Sequence, residues 1–128
     1  MWIAYYYRRM ATLEGPMAVV ETETFLASAA RLGIGETERS ALIIYLAGNP
    51  QAGAIVSGTG GVRKLRWALP GRGKSAGARV IYYYHNQSIP LYALDIYGKN
   101  QKANLSAGER KAARKTVAAI IAEHNRRK

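Results

Sequence analysis

GVRKLRWALPGRGKSAGARVIYYY, residues 61–84, carries six cationic side chains and no acidic one, in a stretch that reads as two strands and a loop. From Val62 the pattern has a period of two: Val62, Lys64, Arg66 and Ala68 fall on one face, Arg63, Leu65, Trp67 and Leu69 on the other. The Leu65/Trp67 face belongs to the core, so Lys64 and Arg66 are expected on the open side. PGRGKSAG, residues 70–77, is a glycine-rich hairpin loop, and ARVIYYYH resumes the sheet. Tyr82, Tyr83 and Tyr84 alternate, so either Arg79 and Tyr83 or Tyr82 and Tyr84 share the open side; the cost of burying an unpaired guanidinium favours Arg79 outward.

Downstream, Pro90 to Gly98 reads as a third strand, with Tyr92, Leu94 and Ile96 on one face and Asp95, Tyr97 and Lys99 on the other. Ser106-Ala107-Gly108-Glu109 matches a capping box that opens a C-terminal helix, whose narrow apolar stripe is Ala113, Val117, Ile120 and Ile121. Upstream, Val19 to Glu21 is a short strand, and Thr24 is the expected N-cap of a helix ending at Gly33. Glu36 to Ala47 is a second helix, closed by Gly48, Asn49 and Pro50, and the two form a helical hairpin. The order β, α, α, a three-stranded antiparallel sheet, then α defines an α+β fold.

At 128 residues the chain is long enough for one core, and no second domain is expected. Residues 1–18 are expected to be a poorly ordered extension from an upstream start codon, and residues 19–128 the folded domain; the alternative is that Tyr5 to Tyr7 add an edge strand. The apolar run Trp2 to Tyr7 is too short for a signal peptide or a bilayer span, so no membrane partner is expected. Cysteine is absent, which excludes disulfides and thiolate metal sites and points to the cytoplasm.

The net charge of +11 is unevenly spread: residues 1–60 sum to −1 and residues 61–128 to +12. A surface this basic is the footprint of a polyanionic partner, and three of its charges, Lys64, Arg66 and Arg79, lie in strands rather than in a tail. Classical catalytic apparatus is scarce. There are two histidines, His85 and His124, no HExxH, no phosphate-binding P-loop and no carboxylate cluster for a divalent metal, so neither a metal nor an organic cofactor is expected.

Lysine, arginine and tyrosine can together cleave RNA without a metal. The ribose 2′-hydroxyl attacks the adjacent phosphate; a base takes its proton, a donor protonates the leaving 5′-oxygen, and cations stabilise the phosphorane. Like-charge repulsion can lower a lysine enough to act as the base, arginine offers a planar fork to phosphate oxygens, and tyrosines can stack on splayed bases.

GTGGVRKLRWALPGRGKSAGARVIYYY (58–84) followed by LYALDIYGKNQKANLSAGERK (91–111) closely resembles the RelE/HigB-type toxins of bacterial type II toxin–antitoxin modules, especially the HigB-like branch, over about residues 19–128. The resemblance implies a RelE-like fold and a ribosome-dependent endoribonuclease that cuts mRNA in the A site of the 70S ribosome. It also implies inhibition by a cognate antitoxin, of the HigA-like helix-turn-helix type. The resemblance places the family's basic positions on Lys64, Arg66, Arg79 and Lys99, assisted by Lys102; the residue pattern itself adds Tyr97 to this catalytic set, and Arg63, Arg72, Lys74 and Tyr83 join Lys102 as expected RNA contacts. The tyrosine that some RelE members carry at the start of the final helix is replaced here by Leu105-Ser106-Ala107-Gly108, which leaves the general base among Lys64, Lys99 and Tyr97. Two other functions fit the same fold: a ParE-like toxin that inhibits DNA gyrase without cutting RNA, and a passive RNA-binding module.

Overall fold

A computed structural model describes residues 7–12, 15–69 and 77–127, and the elements follow the order β1 (Tyr7–Thr12), β2 (Gly15–Glu21), α1 (Glu23–Arg31), α2 (Glu36–Gly48), β3 (Ala54–Ile55), β4 (Val62–Trp67), β5 (Ala78–Tyr83), β6 (Leu91–Gly98) and α3 (Ala107–Arg126). The architecture is α+β, as expected. The sheet is larger than the sequence suggested: it has six strands in the order β1-β2-β6-β5-β4-β3. The expected antiparallel trio β4-β5-β6 forms its centre, β2 joins β6 in parallel, and β1 and β3 extend the two edges antiparallel to their neighbours. Tyr7–Thr12 thus adds an edge strand, running antiparallel to β2 within residues 1–18, the stretch expected to be a poorly ordered extension. The apolar residues Trp2, Tyr5 and Tyr6 lie outside the described residues.

The two faces of the sheet bury different things. On one, Phe25 and Ala29 of α1 and Leu42, Ile43 and Leu46 of α2 pack against Val19, Val80, Tyr82 and Ile96, with Leu65 and Trp67 at the margin. On the other, Val117 and Ile120 of α3 meet Val62, Tyr83 and Tyr92, flanked by Ala113 and Ile121 as the apolar stripe requires. Because α3 offers so narrow a stripe, the basic part of this second face keeps exposed positions.

Three local devices set the geometry of that face. The first is the start of α1, where Thr22 rather than Thr24 is the N-cap: its Oγ1 accepts from Phe25 N at 3.2 Å. The same hydroxyl reaches the carbonyls of Ala93 at 3.0 Å and Leu94 at 3.2 Å, so contact with β6 decides between two threonines that are equivalent in sequence. The second is a β-bulge in β6. Ile81 is paired with Asp95 and Tyr82 with Ala93, which leaves Leu94 as the extra residue. The bulge overturns the expected sharing of one face by Tyr92, Leu94 and Ile96: Tyr92 and Leu94 pack on the α3 side with Tyr97, and Ile96 on the hairpin side. The third is the turn before β4, where Gly58 (φ 77°) and Gly61 (φ 116°) take left-handed backbone that suits glycine. The buried Thr59 closes this turn by donating to Val56 O at 2.6 Å and accepting from Val62 N at 3.0 Å.

Candidate active site

Register turns the basic face into ordered rows. Arg66 stands opposite Arg79, and Arg79 opposite Tyr97; one row over, Lys64 stands opposite Ile81, and Ile81 opposite Asp95. Arg79 therefore shares the side of Lys64 and Arg66, the orientation that the desolvation argument favoured. Adjacent strands are about 4.8 Å apart, so two guanidinium-bearing residues directly opposed repel each other unless an anion lies between them. Arg66 is exposed, Lys64 and Arg79 are half-buried, and among the described residues none of the three forms an ion pair. Lys64 is steadied instead by a neutral partner, its Nζ donating to Asn104 Oδ1 at 3.2 Å.

Tyr97 closes the first row. It is 4% exposed, and its hydroxyl is buried with no partner among the described residues. An orphaned buried hydroxyl costs about 1–3 kcal/mol. Burial pushes its pKa up, against the pull of Lys102 and Arg79. The Lys102 ammonium lies 4.6 Å from the centre of the Tyr97 ring and is paired with Glu109. Glu109 also completes the expected capping box, accepting from Ser106 N at 2.8 Å while Ser106 Oγ accepts from Glu109 N at 3.1 Å. Hydrogen bonds from Lys102 and from the Ser106 backbone hold the Glu109 carboxyl below its ordinary range. The cap of α3 is thereby linked through Lys102 to the tyrosine of the basic face.

Other residues singled out in the sequence lie elsewhere. Arg63 turns to the hairpin face, where Nη1 donates to Gly53 O at 2.7 Å and Gln51 O at 3.3 Å. Tyr83 is on the α3 side but buried, 4% exposed, with its hydroxyl 2.8 Å from His85 Nδ1 and its pKa raised by burial. Lys99 is exposed just past the end of β6, and its backbone N–H donates to Gly77 O at 3.0 Å. Arg72 and Lys74 lie outside the described residues. Asn104, Gln101 and Arg31 were not anticipated. Neutral amides in a connection and an arginine on a distant helix carry no periodic signal, and it is the tertiary fold that sets Asn104 against Lys64 of β4 and Arg31 beside β6.

No group of three or more histidine or acidic side chains is placed to hold a metal ion among the described residues. No described helix is long and apolar enough to cross a membrane. Opposed arginines, a neighbouring lysine and an orphaned phenol on one sheet face form the kind of surface that holds a phosphodiester. Residues 47–128, which include every element from β3 to α3, match the family described as RelE toxin of RelE / RelB toxin-antitoxin system. The chain belongs to that family: it is a RelE-type toxin of a toxin–antitoxin system, a class that works paired with an antitoxin.

Proposed function

We propose that the protein is a ribosome-dependent endoribonuclease of the cytoplasm that cuts mRNA in the A site and so stops translation until its antitoxin binds. The row Arg66–Arg79–Tyr97 is the observation that carries this reading. Two cations face each other without an acidic partner among the described residues, and a phosphodiester seated between them relieves their repulsion, most of all as charge grows on the phosphorane. The raised pKa of Tyr97 keeps the phenol protonated at neutral pH, which suits a donor to the leaving 5′-oxygen better than a base. Lys64, one row away on the same face and held by Asn104, is the amine best placed to take the 2′-proton. Lys99, past the end of β6, belongs to the RNA-holding surface. The ribosome supplies what the small face lacks, a fixed conformation of the scissile nucleotides.

The HigB-like character of the sequence around the basic strands supports an antitoxin of the HigA type as partner. The double variant Lys64→Ala with Arg79→Ala should fold normally and lose growth arrest on induction without antitoxin; full arrest by a correctly folded double variant contradicts the reading.

A further inference from the structure

Along the outer edge of β6, where β2 has ended and α1 packs instead, the basic face borders a cleft of about 200 Å3. Ser28, Arg31, Asp95, Tyr97, Gln101 and Lys102 line it. Gln101 Oε1 accepts from Gly98 N at 2.6 Å, which fixes the side-chain amide and leaves its NH2 group to donate. Arg31 spends one N–H on Ser28 Oγ at 3.0 Å and keeps the rest of its fork. Asp95 Oδ1 accepts from the Ile96 N–H at 2.8 Å, which holds the carboxylate in place and leaves a lone pair on Oδ1 and both on Oδ2 to accept.

The cleft therefore combines several donors with one carboxylate. A bare phosphate would meet the donors but be repelled by Asp95. The ligand that suits both has oxygen and nitrogen acceptors together with adjacent N–H donors on one edge. Among the four RNA bases only guanine offers that set: O6 and N7 accept, while N1–H and the 2-amino group donate side by side, as a carboxylate requires.

We infer that this cleft is a base subsite that takes the guanine of a nucleotide whose phosphate lies over Arg66 and Arg79. Arg79 and Tyr97 are direct strand partners, and β4 and β6 are about 10 Å apart, two strand spacings, so the row and the cleft can be spanned by a single nucleotide. The role of that nucleotide in cleavage rests on the RNA-cutting reading; the base preference itself does not.

The test is a titration of the purified toxin with 5′-GMP, AMP, CMP, UMP and ribose 5-phosphate, followed by amide NMR shifts. The subsite predicts shifts at Asp95 and Gln101 and a preference for GMP of roughly fivefold or more over the other nucleotides. Asp95→Asn should erase that preference while leaving ribose 5-phosphate binding intact, and Arg31→Ala should weaken GMP most. Equal binding of all four nucleotides and of ribose 5-phosphate, or shifts that bypass the cleft, overturns the subsite. Because no bond is cut in this experiment, its outcome is independent of whether the protein cleaves mRNA in cells.

Discussion

The Tyr82 hydroxyl, fully buried on the hairpin face, accepts from Gly53 N at 2.8 Å and donates to Pro50 O at 2.8 Å. It thereby ties the segment leading into β3 to the centre of the sheet. Gly53 fits there because a Cβ would come within 2.9 Å of both Lys64 O and the Tyr82 ring. Tyr82→Phe removes the hydroxyl and takes this partner from the buried Gly53 N–H and the part-buried Pro50 carbonyl, so it should lower stability by about 1–3 kcal/mol in denaturant unfolding. Growth arrest should survive in this variant, because Tyr82 lies on the face opposite Arg66 and Arg79. Single residues were legible where the two-residue period governed them: Lys64 and Arg66 emerge on one side as the alternation required, and Arg79 joins them as the cost of burying its guanidinium favoured. Arg63 shows the limit of reading charge alone. The same alternation turns it away from its basic neighbours, where two carbonyls satisfy its guanidinium, and no charge count distinguishes it from them. Tyr83 follows the period too, but burial beneath α3 is a tertiary fact that alternation does not carry.

Among the elements, α3 owes its start to the Ser106/Glu109 box, and Glu109 extends that start to Lys102. Ser106→Ala should cost about 1 kcal/mol of stability, the usual worth of an N-cap. The pH dependence of the Glu109 contribution has a definite sign. Its carboxyl is depressed below the ordinary 4.5 in the folded protein, so the stabilisation is complete above that value and is lost as pH falls through the lowered one. Glu109→Gln should accordingly be less stable than the parent at neutral pH, with the gap closing as the solution is taken below the glutamate range; a gap that persists in acid would mean that the charge plays no part. This box was legible because its residues are contiguous and its spacing is dictated by helix geometry. The cap of α1 and the bulge of β6 were not. The carbonyls of Ala93 and Leu94 select Thr22, and the shifted pairing at Ile81 leaves Tyr92 and Leu94 on the side of Tyr97 while Ile96 stays on the other. Both depend on strand pairs far apart in sequence.

For the molecule as a whole, the division of charge seen in sequence becomes a division of surfaces. The near-neutral first half supplies the helical hairpin that closes one face of the sheet, and the basic second half supplies the strands and helix of the other. The α+β class and the central antiparallel trio followed from periodicity and turn residues. The full width of the sheet did not, since β3 is two residues long and the parallel pairing of β2 with β6 joins segments on either side of the intervening hairpin and strands. What the assembled face is for rests on one claim, that it cuts mRNA on the translating ribosome. The direct test is to map mRNA 5′ ends after brief induction without antitoxin, in translating cells and in cells whose translation is blocked. New ends inside reading frames that disappear when translation is blocked are the expected result, whereas growth arrest with mRNA left intact would contradict the claim and point to a different target for the same fold.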